Sequence, residues 1–450
     1  MNEGLWRTPT VHSDDEIGGI YMESLLSRVR ELKRRDPVES FVAKRMPAFG
    51  QPICDSVVIA GNGIGALTFA AALARDPRME GRVTVVAPPV DESRRLLNGV
   101  SLRGLAADFL CTALGVTHEE LLDVVAGPGQ RPVAHANTAA MAFKKPDGNY
   151  GFSTAGSWQG VFDNSLELVW GVRNSRVTGG MVELMQSMGI KWVEEKAHGL
   201  EQLKDLAQGS RPLIANATTN STLLGAGGLK PKIMVLATQA PMIESASGVR
   251  APLGANQAFV PLTKRSGAID VGYYTPFKDP LSPRSTWYGI TARLVAADSG
   301  FNKAAELEAM QDELFGVADA LGLTPDDPDE TLGTALVPAS RFGSVPPSAT
   351  GTLELRRAYS GGAPCFYADG MLSSAVGGVI GARAVLNGQD PDPIIRHALR
   401  QVRWVNYLWH IECMKIPGLV DKLMRRSVPG AMAYPHGFGV GWWASRRRAA

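Results

Sequence analysis

The chain has 450 residues, of which 45% are apolar and 20% charged, with a formal net charge of +2. That size and balance exclude a disordered chain and lead to the expectation of two packed domains. The near-neutral charge gives no field for nucleic acid, and Cys54, Cys111, Cys365 and Cys413 lie too far apart for a zinc cluster or a disulfide framework, so no metal site is expected.

The opening stretch, MNEGLWRTPTVHSDDE, is acidic and lacks an apolar centre, so it does not read as a secretion signal. No run of about 18 apolar residues follows anywhere, which argues against a membrane-spanning helix and makes a cytoplasmic location the expectation. Within residues 1–50, Ile20 to Arg34 has helical spacing, with Leu25, Val29 and Leu32 on one face and basic residues opposite. It reads as an N-terminal extension that packs on the core or docks a partner.

Ser56 to Ala60 (SVVIA) has the pattern of a short buried strand, Leu67 to Arg75 that of an alanine-rich helix, and Arg82 to Ala87 that of a second strand. Together they predict one βαβ unit. Further on, Phe162 to Arg173 alternates weakly, a helix opens near Thr178, and Pro212 to Ala217 and Lys232 to Ala237 read as strands. From Gln257 to Arg293, aromatic and β-branched residues alternate between turn signals, as in an antiparallel sheet facing a substrate. Ala304 to Leu321 is helical, Pro364 to Tyr367 is a strand, Gly378 to Leu386 is a small-residue helix, and Pro391 to Leu408 is a longer one.

The chemistry starts between the first strand and its helix, at Gly61-Asn62-Gly63-Ile64-Gly65-Ala66. A dinucleotide pyrophosphate is a double anion, and a helix N-terminus offers it free N–H groups and partial positive charge. Gly61 permits the tight turn, Gly63 lets the backbone approach the phosphates, and Ala66 allows close helix–strand packing. The acidic residue that commonly holds the ribose at the end of the second strand is missing. The chain there reads Val85-Val86-Ala87-Pro88-Pro89, with Asp91 and Glu92 only later. Arg94, Arg95 and Arg103 follow, and each can pair bidentately with phosphate oxygens.

A second motif runs from Cys365-Phe-Tyr-Ala-Asp369-Gly370 to Gly377-Gly378-Val379-Ile-Gly381. A carboxylate after a strand can accept from a sugar-alcohol hydroxyl, and a glycine pair at a helix start can offer N–H groups to a ring carbonyl. Taken together, the two motifs resemble those of the p-hydroxybenzoate-hydroxylase-type flavoproteins, a superfamily of aromatic hydroxylases, styrene and indole epoxidases, geranylgeranyl reductases and flavin halogenases. The resemblance spans roughly residues 56 to 390. It implies FAD, with Asp369 on the ribitol and the glycines from Gly377 to Gly381 under the flavin ring. Three departures stand out: Ala368-Asp369-Gly370 replaces Gly-Asp-Ala, Val376 replaces a proline, and Thr218 and Thr219 replace the middle Asp-Gly pair that serves flavin and NAD(P)H. Arg95-Leu-Leu-Asn98 resembles the epoxidase branch, whose members take reduced flavin from a separate reductase. Electrons would thus come from NAD(P)H or a partner flavin reductase.

No catalytic acid, base or nucleophile stands out: there is no GxSxG and no HExxH, and the seven histidines are dispersed. That fits an enzyme whose cofactor does the chemistry. From Pro391 onward, ten Lys/Arg face three Asp/Glu and are interleaved with Trp404, Tyr407, Trp409, Trp442 and Trp443, which suits a helical cap, an anionic membrane surface or an acidic partner.

The expected fold is α/β: an N-terminal helical extension (1–50), a discontinuous Rossmann-like FAD-binding domain (51–255 and 335–390) with substrate-domain segments interleaved, a mixed antiparallel-sheet substrate domain (256–334) and a basic, aromatic helical C-terminal region (391–450). The expected activity is FAD-dependent oxygenation of an apolar or aromatic molecule through a flavin hydroperoxide, with Tyr273, Tyr274, Trp287 and Tyr288 as candidate pocket walls. Two alternatives are a flavin-dependent reductase of a prenyl-type double bond and a redox-inactive or redox-neutral protein of the same fold, such as a cyclase or partner subunit.

Overall fold

The computed structural model describes residues 50–92, 99–130, 132–144, 147, 150–154, 168–218, 220, 222–224, 233–246, 256–261, 268–277, 282–296, 300–327, 335–339, 350–355 and 370–398. The expected helix at Ile20–Arg34, Arg94, Arg95, the strand at Pro364–Tyr367, Asp369 and the chain beyond Ala398 lie outside these residues.

The strands are β1 (Ser56–Ala60), β2 (Val83–Val86), β3 (Gly99–Arg103), β4 (Val133–Lys144), β5 (Tyr150–Thr154), β6 (Leu168–Arg173), β7 (Lys191–Val193), β8 (Pro212–Asn216), β9 (Ile233–Glu244), β10 (Asn256–Pro261), β11 (Ala268–Pro276), β12 (Trp287–Ala296), β13 (Leu323–Pro325), β14 (Ala335–Ala339) and β15 (Thr352–Leu353). The helices are α1 (Ile64–Ala74), α2 (Gly104–Leu114), α3 (His118–Ala126), α4 (Asn174–Met185), α5 (Leu200–Asp205), α6 (Lys303–Leu321), α7 (Gly370–Leu386) and α8 (Pro391–Ala398).

Two sheets organise them. The first runs β7-β2-β1-β8-β15, and every pairing in it is parallel. In chain order that is third, second, first, fourth, fifth, the doubly wound Rossmann arrangement. Its strands are short apolar runs because both faces are covered. Val57, Ile59, Val83 and Val85 face α1, α2, α4 and α7, while Val58, Ala60, Val86 and Ile214 face α5 and the buried Leu223 and Leu224.

The second sheet runs β13-β9-β12-β11-β10-β4-β6-β3, with β14 also on β9 and β5 on β4; it is antiparallel except where β10 meets β4. The strand read at Lys232–Ala237 is the start of the twelve-residue β9. Helix α6 lies along one face, where Met242, Tyr274 and Trp287 pack on Leu314, Val317 and Leu321. Asn302 caps α6 by accepting from the amides of Ala304 and Ala305, and Gly322 ends it at φ +80°. Arg293 points into the same interface, fully buried, where it pairs with Glu306 and Glu313.

Helix α7 is the centre of the molecule. Sixteen of its seventeen residues are buried, which explains a sequence, GMLSSAVGGVIGARAVL, that is small or apolar all round.

Candidate dinucleotide site

The site grows out of strand order. In an open parallel sheet, a crevice forms where connections from adjacent strands leave in opposite directions, outside the carboxyl ends. Here those strands are β1 and β8. The chain leaves β1 toward β2 and reaches β15 on the other side of β8. The glycine loop sits at this switch point.

The Gly61 amide donates to the Val86 carbonyl at 2.9 Å, and that of Ala217 to the Ala60 carbonyl at 2.9 Å. These two bonds start the two loops side by side. Gly61 has φ +112°, and a Cβ there would stand 3.1 Å from the carbonyl carbon and oxygen of Ala217. Backbone conformation and space therefore both demand glycine. Asn62 fixes the loop to the end of β2, its side-chain amide donating to the Pro88 carbonyl at 2.7 Å.

Helix α1 begins at once. Gly63 is its N-cap, with no side-chain cap and no carboxylate in the first turn. The amides of Ile64, Gly65 and Ala66 thus keep their helix-end donor positions. A Cβ at Gly63 would meet nothing within 4 Å, so the loop is open on the side from which a pyrophosphate would approach. Ala66 is fully buried and Ile64 nearly so.

The second motif departs from its expected geometry. Gly377, Gly378, Val379 and Gly381 were expected at a helix start, but α7 starts earlier, at Gly370, and all four lie mid-helix and buried. A Cβ at Gly378 would stand 2.9 Å from the Gly65 carbonyl oxygen and 3.0 Å from the Phe69 amide nitrogen. Mid-helix placement removes the free amides that a flavin carbonyl would need, and close approach of α1 and α7 explains the small residues instead. Ser374, in the second turn of α7, lies against Gly65, where a Cβ would be 3.4 Å from the serine Cβ. The α7 N-terminus at Gly370 therefore comes close to the N-terminus of α1.

Beyond the end of β2, Glu92 carries a carboxylate held by an ion pair. It accepts from Arg176 at 2.9 Å and covers Gly179, where a Cβ would collide with Glu92 Oε1. Arg176 also holds Glu183 at 2.7 Å, an ion pair that lowers the Glu183 carboxyl from its ordinary value and raises the guanidinium. Arg103 closes β3, and its side chain lies outside the described residues.

Asn216 opens the stretch that resembles the middle Asp-Gly motif, and its pairing with Glu354 is not visible in the sequence. Asn216 is fully buried at the end of β8, and Glu354, 2% exposed, directly follows β15. The register Ile214–Thr352 and Ala215–Leu353 brings them level, and the Asn216 amide donates to the Glu354 carboxylate at 3.3 and 3.4 Å. The pair is 138 residues apart in sequence, so only the strand order reveals it. Of the aromatic candidates, Tyr274 and Trp287 belong to the core under α6. The Tyr274 hydroxyl donates to the Leu314 carbonyl at 2.8 Å and the Trp287 indole to Glu244 at 3.2 Å. Tyr288 alternates to the opposite face, edge-on to Phe277 at 5.3 Å. The Tyr273 side chain lies outside the described residues.

Among the described residues, no group of three or more His, Cys, Asp or Glu could hold a metal ion, and no helix is long and apolar enough to cross a membrane.

No protein-family model matches the sequence, and no curated protein matches it. Solved structures do match in shape. Halogenase PltM, solved with ethyl mercury and mercury, aligns with a TM-score of 0.54 at 12% identity over 80% of this chain and 77% of its own. Native FqzB aligns with a TM-score of 0.52 at 10% identity over 89% of this chain and 96% of its own. A third match, HpxO of Klebsiella pneumoniae with FAD and uric acid, is looser, with a TM-score of 0.47 at 11% identity over 83% of this chain and 93% of its own. At such identities the likeness is one of fold: the chain shares the two-sheet α/β architecture of FqzB and halogenase PltM.

Proposed function

We propose that this chain is an FAD-dependent oxidoreductase, a monooxygenase acting on an apolar or aromatic organic substrate. One observation carries the reading. A glycine loop with an uncapped helix N-terminus lies at the switch point of a five-stranded parallel sheet, open at Gly63 and closed by backbone contact at Gly61. FAD rather than NAD is supported by the sequence resemblance at the Gly61–Ala66 loop and at Asp369-Gly370, the stretch that opens α7. A fold shared with a halogenase supports redox work.

The residues fit a bound dinucleotide. The amides of Ile64, Gly65 and Ala66 would donate to the pyrophosphate, and Gly61 and Asn62 shape the turn that brings it to the helix. Glu354, buried level with the carboxyl end of β8, accepts from Asn216 and so braces the loop that faces Gly61. When bound, the flavin would supply the activation of dioxygen. The second sheet would orient the substrate on the face turned away from α6, the face that carries the buried Tyr288 and the half-buried Ile290. Electrons would come from NAD(P)H or from a partner flavin reductase.

The test is a visible spectrum of purified protein with and without added FAD, followed by NADPH without air. Flavin that co-elutes and is bleached by NADPH supports a self-sufficient oxygenase. Flavin that binds but is bleached only by chemical reductant or an added reductase points to a two-component enzyme. Failure to retain FAD in either redox state would overturn the proposal.

A further inference from the structure

The loop after β8 forms the wall opposite Gly61, and it is held in an unusual way. Its backbone enters through the Ala217–Ala60 hydrogen bond, and beyond that the described hydrogen bonds of the loop all involve side chains. They form a relay. Asn216 Oδ1 accepts from the Thr218 amide at 3.0 Å and the Thr218 hydroxyl at 2.8 Å. Thr218 Oγ1 accepts from the Asn220 amide at 3.1 Å. Asn220 Oδ1 accepts from the Thr222 amide at 3.0 Å and the Thr222 hydroxyl at 2.9 Å. Asn216 Nδ2 closes the relay on the Asn220 carbonyl at 3.0 Å, and its remaining hydrogen points at Glu354. All four hydrogen-bonding positions of this buried amide are used, and the partners fix which end is oxygen and which nitrogen.

The relay bears on the crevice through two atoms. The Ala217 carbonyl and the Thr218 methyl lie 3.1 and 3.4 Å from where a Gly61 Cβ would be. The two loops therefore run side by side with no room for a side chain between them, so the position of the β8 loop bounds the space in which the Gly61 turn can sit.

We infer that Asn216 is a positioning residue for the bound dinucleotide: through Thr218 and Asn220 it sets the width of the crevice at the pyrophosphate turn. The inference rests on the FAD reading. It goes beyond that reading by assigning a role to a residue that need not touch the cofactor. The amide also explains the choice of asparagine over its isostere. A carboxylate at this position would face Glu354, the titratable group beside it among the described residues, and the Asn220 carbonyl with no hydrogen to offer. Two facing carboxyls raise one another's tendency to hold a proton. A shared proton would restore the missing donor, so the isostere should work in acid and fail in base.

The experiment measures FAD retention by fluorescence quenching for the full chain and three variants, with melting temperature recorded for each. Asn216→Ala should weaken FAD binding about tenfold or more. Asn216→Asp should do the same at about pH 8 and recover most of that loss near about pH 5, while the wild type changes little. Ser56→Ala is the control for stability alone. Ser56 is buried at the far end of the same strand pair, its hydroxyl bonding the Gln208 carbonyl at 2.5 Å. It should lower the melting temperature without weakening FAD binding. Equal loss of FAD affinity in Ser56→Ala and Asn216→Ala at matched melting temperature would overturn the inference, as would wild-type affinity in Asn216→Ala or a pH-independent Asn216→Asp. A wild-type chain that retains no FAD sinks the parent reading, and this inference with it, before any variant is made.

Discussion

At the scale of single residues, Gly61 is the most exacting position in the crevice. Any side chain there meets a left-handed backbone and a carbonyl at 3.1 Å. Gly61→Ala should cost about 1–3 kcal/mol of stability and weaken FAD binding, measured by denaturant titration and fluorescence quenching. Gly63→Ala is the contrast, since φ is −73° and a Cβ meets nothing. It should leave stability nearly unchanged and act on FAD affinity alone. Cys54 makes a different prediction. Burial, helped by the neighbouring Asp55 charge, pushes its thiol up to about 12. The folded state therefore favours the protonated thiol. Its contribution is complete below the ordinary thiol value of 9.0 and is lost as pH climbs from there toward about 12. Native Cys54 should resist alkylation at about pH 8, and Cys54→Ala should flatten the alkaline limb of a stability–pH profile.

At the scale of elements, the crossing of α1 and α7 sets where the N-terminus of α1 lies. Gly378 faces the Gly65 oxygen, the Phe69 nitrogen and the Thr68 Cβ on α1, none of them the far end of a flexible side chain that could yield to an added methyl. Gly378→Ala should destabilise by about 1–3 kcal/mol and push the α1 N-terminus off its place. Loss of FAD affinity should accompany the shift of the denaturant midpoint. This crossing also shows what the sequence could and could not tell. The glycine pattern at 377–381 was visible, but small residues serve equally at a helix start and at a helix crossing, and spacing alone does not separate them. The β1–loop–α1 unit was legible because strand, turn and helix are contiguous and each residue's role is local. Glu354 and Asn216 were not, because their meeting depends on β15 pairing with β8, a contact fixed by the winding of the whole sheet. Tyr274 and Trp287 carried the right alternation for a sheet, and only the placement of α6 decided which face was core.

At the scale of the whole molecule, the crevice joins parts of the chain that are far apart in sequence: the loop at 61–66, Asn216 at the end of β8 with Ala217 and Thr218 beyond it, and the start of α7. A ligand bound there holds N but not U, so it stabilises the fold by an amount set by its concentration relative to its dissociation constant. With free FAD at about one hundred times that constant, the gain should be about 2.7 kcal/mol, read as a shift of the denaturant midpoint at constant slope. The same concentration of FAD should give Gly61→Ala and Asn216→Ala smaller shifts, because weaker binding subtracts directly from the linkage. Riboflavin, which lacks the pyrophosphate and the adenosine, should shift neither wild type nor variants appreciably, since the helix-end amides then have no anion to hold. Equal shifts with riboflavin and FAD would place the affinity in the ring rather than in the phosphate turn. The glycine loop would then have to be read as a core turn.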